Sequence, residues 1–358
     1  FPADVYLEGG DQYRGWFQSS MLTSIATKGV APYKQIITHG WTVDGEGRAM
    51  HKSLGNAVAP DEVIKDYGAD MLRLWVSSAD YTQDMRISKD ILKQLSQAYL
   101  KIRNTARYML GNLAGFNPDT DQVDYEALAP LDQWALARYN ELVKTVRAAY
   151  DRYEFHGVYR AIYNFCVVDM SNFYLDIIKD RLYCGDDADR AAAQTALYQI
   201  LDGMTRMLAP MMAFTSEEIW AAMPHAAGDE ASCVLLNDIP SYDEKLRLDE
   251  ALAAQWDKVI ALRMDVNKAL EAARSQKLVG KSLDAEVTLY FNEAGKKEFE
   301  SMGQHDLAAV CIVSKVTVAE GEGEGLAGEN FPGITVAVAP AEAPKCSRCW
   351  THNDQVDP

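Results

Sequence analysis

The 358-residue sequence contains no apolar run approaching the roughly 20 residues that a membrane-spanning helix needs, so no membrane partner is expected. No succession of cationic, apolar and small residues opens it, so no secretory signal is read. The first residue is Phe1 rather than Met, and Phe1-Pro2-Ala3-Asp4 runs straight into strand-like residues, which reads as a chain cut from a longer one. Basic charge is scarce: 35 Lys and Arg stand against 52 Asp and Glu, a net charge of -17. That balance argues against phosphate contacts spread over the whole surface and leaves only local basic patches. One such stretch runs from Arg86 to Arg107, where six basic residues accompany the single acid Asp90. The same pattern also fits a solvated helix face. Cysteines are too scattered for a disulfide framework: Cys166, Cys184, Cys233 and Cys311 stand alone, and only Cys346 and Cys349 are paired. Reduced thiols and a cytoplasmic location are the expectation.

What remains is an ordinary globular composition, 48% apolar and 24% charged, long enough for two or three domains. Residues 1–85 read as α/β. Val5-Tyr6-Leu7 and Gln35-Ile36-Ile37-Thr38-His39 form strands, Gly15 to Thr27 has helical spacing, and Pro60 opens a helix in the first turn, where its missing N–H costs little. From 86 to 247 strand signals nearly vanish. Helices are predicted over 88–113, 130–152, 155–182, 187–208 and 214–223, an α-bundle followed by a connector containing Pro240. Residues 248–340 hold one further long helix and a small α/β region. The helix face Leu252, Trp256, Val259, Ile260, Arg263, Val266, Leu270 is apolar except for Arg263. Ala285 to Phe291 alternates like a half-buried strand, Val313, Val316 and Val318 mark another, and Gly321-Glu322-Gly323-Glu324-Gly325 reads as a mobile acidic loop.

Two segments carry chemistry. In Gly45-Glu46-Gly47-Arg48-Ala49-Met50-His51-Lys52-Ser53-Leu54-Gly55-Asn56 the glycines permit close approach to a ligand. Lys52 has the charge to neutralise phosphate oxygens, and Ser53 and nearby N–H groups add hydrogen bonds. An exposed basic turn would have the same composition. Upstream, Glu8-Gly9-Gly10-Asp11-Gln12-Tyr13-Arg14-Gly15-Trp16-Phe17 spans a strand-to-helix junction, where ligands bind in open α/β sheets. Glu8 and Asp11 there suit either ribose hydroxyls or helix capping.

The upstream run closely resembles the isoleucyl-tRNA synthetases; valyl and leucyl relatives carry different residues after the corresponding glycine. The loop resembles the second signature of the class I synthetases, usually Lys-Met-Ser-Lys-Ser, here Ala49-Met50-His51-Lys52-Ser53. Tyr67 to Trp75, Ile102 to Arg107 and Phe173 to Arg181 also resemble this family. The fold so implied is the second half of a Rossmann-like catalytic domain, then a helical anticodon-binding bundle and a small α/β carboxy-terminal region. The activity implied is ATP- and Mg2+-dependent conversion of L-isoleucine to its adenylate, then transfer to tRNA(Ile), by a monomer. The first signature with its paired histidines is not in the sequence, and no editing domain is present. Both are expected upstream, so residues 1–358 alone are expected to be inactive or to serve only as a tRNA-binding module.

Roles carry over by position. Glu8 would bind the adenylate through its ribose, Gly9 would admit the backbone, and Asp11 and Gln12 would line the adenylate and carbonyl region. Trp16 would wall the isoleucine side chain. Such a wall discriminates by only about 1–3 kcal/mol per methylene, a limit for which isoleucine against valine is itself the standard example. Lys52 and Ser53 would meet the phosphates. Ala49 lacks the charge of the first family lysine, which the adjacent Arg48 is placed to supply. Lys93, Arg103 and Arg107 would face the tRNA backbone, while Trp75 and Tyr174 suit the core. Residues 341–358, with Lys345-Cys346-Ser347-Arg348-Cys349-Trp350, resemble the start of the family's four-cysteine zinc module. Cys346 and Cys349 alone make half a Zn2+ site, and His352 matches no family ligand position.

Overall fold

The computed structural model describes residues 1–321 and 323–356, with the side chains of Lys52 and Glu320 outside that description. The acidic loop read at 321–325 therefore falls partly outside the described residues. Strand β1 (Ala3–Gly9) passes through a 3-10 turn (Gly10–Arg14) into α1 (Trp16–Lys28), which returns to β2 (Tyr33–His39). The two strands pair in parallel, with Glu8 opposite Thr38 and Gly9 opposite His39. Helix α1 stops at Gly29, whose φ of 72° suits glycine and whose N–H reaches the Ile25 carbonyl. Strand β3 (Thr42–Val43) precedes α2 (Pro60–Tyr67) and α3 (Ala69–Ser78), and pairs in parallel with β4 (Met85–Arg86).

Helices dominate from there: α4 (Lys89–Gly111), α5 (Pro130–Asp151), α6 (Phe155–Asn164), a π-helix (Phe165–Tyr174), the short α7 (Leu175–Ile177) and α8 (Lys179–Tyr183), α9 (Asp187–Leu208) and α10 (Ala213–Ala222). The single helix predicted over 155–182 is thus broken into pieces. The hydrogen-bond register widens to i→i+5 over this segment, while Phe165, Cys166, Met170, Phe173 and Tyr174 stay buried. After a connector come α11 (Glu250–Ser275), β5 (Ala285–Phe291), α12 (Glu293–Ser301), α13 (Leu307–Cys311), β6 (Lys315–Glu320), β7 (Leu326–Ala327) and β8 (Ile334–Pro340). The carboxy-terminal sheet runs β6-β5-β8-β7, with β5 parallel to β6 and antiparallel to β8. Strand β5 alternates buried and half-buried residues along its length, as its sequence predicts.

The chain forms two compact units. One comprises residues 1–111, 141–167 and 200–242. Its core includes Leu74, Trp75, Ile102, Met109, Val158, Ile162 and Trp220. The Trp75 indole N–H donates to the Arg86 carbonyl at 3.0 Å. Buried Asp70 accepts from the Phe214 and Thr215 N–H groups (3.2 and 2.6 Å) and from the Thr215 hydroxyl (2.6 Å), capping the start of α10.

The other unit comprises residues 112–140, 168–199 and 243–358. Here α11 packs on β8, α12 and α13 through a face that includes Trp256, Val259, Leu262 and Val266. Asp265, also buried, accepts from the N–H groups of Glu329, Asn330 and Phe331 and from the Asn330 amide, fixing the turn before β8. Tyr174 lies in the core as expected, its hydroxyl donating to fully buried Asp132 at 2.7 Å. Arg181 adds two N–H bonds to the same carboxylate, at 2.9 and 2.8 Å. Asp132→Ala leaves Arg181 and Tyr174 without their acceptor. It is expected to cost about 3 kcal/mol, read as a fall in the urea midpoint at unchanged m-value.

Candidate functional site

The carboxyl ends of the parallel strands β1 and β2 lie side by side; the Glu8–Phe17 run leaves from the first, and the second candidate segment follows β3. At the end of β1, the half-exposed Glu8 carboxylate lies 3.3 Å from Nε2 of His39, at the end of β2. Nδ1 of His39 is 2.7 Å from the Gly40 carbonyl. A carbonyl only accepts, so Nδ1 carries the proton there, and Nε2 donates to Glu8 when the ring is imidazolium. Gly9 lies in a close space: a Cβ there would stand 2.7 Å from a carboxylate oxygen of the exposed Asp11 side chain, which can swing aside, and 3.4 Å from the Trp41 ring. The Gln12 amide oxygen accepts the Trp16 N–H at 3.0 Å, and its amide nitrogen donates to Asp11 at 3.1 Å. The capping considered for Glu8 and Asp11 thus falls to Gln12. Trp16 stacks on Tyr6, with ring centroids 4.5 Å apart and planes within 10°, and remains 47% exposed.

Beyond β2 the loop is organised by Asp44, whose part was missed in the sequence. Its carboxylate is buried. One oxygen accepts the Glu46 and Arg48 N–H groups (3.0 and 2.9 Å); the other accepts Arg48 Nε and the Asn56 amide (both 2.9 Å). Asn56 closes the far end, donating also to the Ala49 carbonyl and accepting the His51 N–H at 2.9 Å. The Asn56 hydrogen bond first, then the Arg48 N–H, hold the Asp44 carboxyl well below the usual carboxylate range, with burial opposing them. The available signal was the Asp-Gly-x-Gly turn followed by an asparagine twelve positions after the aspartate.

The clamp corrects one expectation. Arg48 does not stand free to replace the charge lacking at Ala49: its guanidinium is paired with Asp44 at 2.9 Å and Glu46 at 3.1 Å. A further cation near the turn is Arg86, whose guanidinium would stand 3.2 Å from a Cβ at Gly47, itself at φ 84°. The Met50 sulfur accepts the Val58 N–H at 3.3 Å. His51 and Ser53 are exposed. Lys52 opens a 3-10 turn (Lys52–Leu54); its side chain lies outside the described residues.

On α4, Lys93 and Arg107 are exposed and Arg103 is half-buried. At 100° per residue the three fall within an arc of about 80° on one side of the helix. None of them forms an ion pair among the described residues. Lys101 points elsewhere, its ammonium 5.9 Å from the Tyr163 ring centre.

Cys346 and Cys349 share a tight turn closed by the Trp350 N–H to the Cys346 carbonyl (3.0 Å) and flanked by a bridge between Lys345 and His352. The Cys349 and Arg348 N–H groups aim at the Cys346 sulfur and lower its pKa below that of an ordinary thiol, the arrangement a metal-bound thiolate needs. The pair fits half a tetrahedral site. No third His, Cys, Asp or Glu joins it among the described residues. His352 is turned away, with Nδ1 on the Ala343 carbonyl at 2.7 Å and Nε2 3.5 Å from Asp284.

Residues 1–88 match the family model "tRNA synthetases class I (I, L, M and V)", and residues 132–289 match "Anticodon-binding domain of tRNA ligase". The isoleucine–tRNA ligase of Syntrophotalea carbinolica is 50% identical over 358 residues, covering 99% of this chain and 38% of that protein. The Geobacter sulfurreducens isoleucine–tRNA ligase is 48% identical, with the same coverage. The chain therefore spans 38% of the length of these curated relatives. Among solved structures, a LeuRS–tRNA–LeuAMS ternary complex from Agrobacterium radiobacter has a TM-score of 0.55 at 20% identity, over 70% of this chain and 30% of that one. Mycobacterium tuberculosis methionyl-tRNA synthetase with methionyl-adenylate has a TM-score of 0.51 at 22% identity, over 61% and 44%. Both share the fold.

Because the Asp44 carboxyl is depressed on folding, the clamp's contribution is complete above the ordinary aspartate range and is lost only as pH falls through the lower folded value. Exchange protection of the Glu46 and Arg48 amides, corrected for intrinsic rate, is expected to stay constant from neutral pH to about 4.5. Asp44→Ala should reduce it at least about tenfold.

Proposed function

The chain belongs to the isoleucine–tRNA ligase family of class I tRNA synthetases, and from that premise we propose that it contributes to ATP-dependent formation of isoleucyl-adenylate and acyl transfer to tRNA(Ile). The observation that carries this is the Glu8–Phe17 run at the carboxyl end of the parallel strand β1, together with the Asp44-clamped loop that follows the carboxyl end of β3. The isoleucine carboxylate attacks the α-phosphate of ATP, which arrives with Mg2+, and pyrophosphate leaves; no covalent bond to the protein forms. The chain's work is to position reactants and stabilise charge. Glu8 takes the ribose hydroxyls, steadied by His39. Gly9 lets the backbone approach, and Asp11 and Gln12 line the adenylate. Trp16, backed by Tyr6, presents its open face to the isoleucine side chain. Lys52 and Ser53 meet the departing phosphates.

Residues 1–85 serve as the catalytic part and 86–247 as the anticodon-binding part, with Lys93, Arg103 and Arg107 against the tRNA backbone. Residues 248–340 form a further region, and 341–358 begin a zinc module. When bound, zinc would tie the two thiolates of Cys346 and Cys349 to further ligands as a structural cross-link. No described helix is long and apolar enough to cross a membrane; a cytoplasmic monomer is part of the proposal on the family resemblance alone. A tRNA-binding module without catalysis would account for the α4 cations but leaves the clamped loop without a task.

The test is isoleucine-dependent ATP–pyrophosphate exchange in the longest polypeptide that the gene encodes. Lys52→Ala is expected to lower exchange about a hundredfold with tRNA affinity unchanged. Unaltered exchange would remove Lys52 from the mechanism. Metal analysis of the same polypeptide should find zinc that Cys346→Ser loses; a metal-free protein would end the zinc assignment.

A further inference from the structure

Helix α11 buries two charged residues among its apolar ones: Asp265, which is fully supplied with donors by the turn before β8, and Arg263, which is only 7% exposed. A guanidinium carries five N–H donors, and a buried one needs acceptors and a counter-charge. Arg263 has few. Nη1 donates to the Asn172 carbonyl at 2.8 Å, and the cation lies 5.0 Å from the Phe173 ring centre. The nearest carboxylate oxygen, on Asp176, is 3.7 Å from Nη2, too long for a hydrogen bond, and Asp176 is already bonded to Lys179 at 2.6 Å. Nε is buried without a partner among the described residues. Burial accordingly pulls the Arg263 pKa below the usual arginine value, with Asp176 opposing it only in part.

Arg263 lines an open polar cavity of about 620 Å³. Two more cations line it, Arg274 and Lys281, against the single acid Asp176. Arg274 lies eleven residues beyond Arg263, so about 20° round the same helix face. Its guanidinium is anchored by the Ser282 hydroxyl. Lys281 sits with its ammonium 4.8 Å from the Trp350 ring centre. The Cys311 thiol on the wall is pushed up to about 12 by burial and brings no negative charge at neutral pH. Three cations facing one carboxylate, in a chain of net charge -17, make this cavity the reverse of the average surface. Planar guanidinium forks match tetrahedral oxyanions, and the polar walls exclude an apolar guest.

We propose that this cavity is a phosphate-binding pocket, with Arg263 as its buried anchor and Arg274 and Lys281 at its rim. The phosphate is either a phosphodiester of an RNA backbone or a free phosphate ion. Only the RNA source rests on the tRNA reading above.

The experiment uses the 358-residue chain and the double variant Arg274→Glu/Lys281→Glu, both sites exposed, with thermal unfolding as the folding control. Arg263→Gln serves as a second variant that removes the anchor. Phosphorus NMR line broadening of inorganic phosphate reports the pocket directly. Fluorescence anisotropy of a labelled tRNA(Ile) transcript, followed against salt, reports RNA. Phosphate broadening is expected to fall at least about tenfold in the folded double variant. A parallel fall in tRNA affinity with a shallower salt slope assigns the phosphate to RNA. Lost phosphate binding with unchanged tRNA affinity assigns it to the free ion. Lost phosphate binding in a chain whose wild type binds no tRNA leaves the pocket standing and counts against the tRNA reading. Undiminished phosphate broadening in the folded double variant overturns the proposal, as does an unfractured signal from folded Arg263→Gln with wild-type affinity.

Discussion

A carboxylate withdrawn from water must either find donors for its oxygens or give up its charge. The acid-rich chain takes the first course repeatedly. Asp44 gathers two N–H groups, a guanidinium and an amide to close the loop. Asp70 caps α10, Asp265 fixes the turn before β8, and Asp132 collects a hydroxyl and both arms of Arg181. Each joins segments that are not otherwise held by a regular ladder of backbone bonds. Part of the negative charge counted from composition is therefore internal architecture. It does not define the surface met by a ligand.

The same distinction bears on which cations of so acidic a chain are open to an anionic ligand. Cations count where they are free. Arg48 is held by Asp44 and Glu46, whereas Lys93, Arg103 and Arg107 form no ion pair among the described residues. Arg263 is an intermediate case, buried and only partly compensated. Net charge would rank these residues as equals; their neighbours separate them.

Much of the architecture was legible because it rests on local periodicity. The strand at 285–291 and the helices at 130–151 and 187–208 follow patterns confined to themselves. The Glu8–Phe17 run was legible as a family resemblance, and the structure puts it at the carboxyl end of β1. What escaped reading depends on partners that only the fold supplies. Asp44 looked like a turn residue until Asn56 was brought back to it. Arg48 looked available because its acids lie within four positions of it in several possible geometries. The solitary charge of Arg263 was visible on its helix, but its meaning depends on Asn172 and Asp176, some ninety residues earlier. The break in the predicted helix over 155–182 was hidden because α and π repeats differ by less than one residue per turn.

That break has a consequence for chain length. Within and just beyond the π-helical turns, Asn172 offers its carbonyl to Arg263, Tyr174 directs its hydroxyl to Asp132, and Asp176 faces the same arginine. Removing one residue upstream in the segment would let it relax to an ordinary α-helix, rotating all three positions by about 100°. Side-chain identity there is open to conservative exchange, but the count of residues is not. The stretch from 165 to 174 should accordingly tolerate substitution far better than insertion or deletion, like a gear whose teeth can be resurfaced but not renumbered.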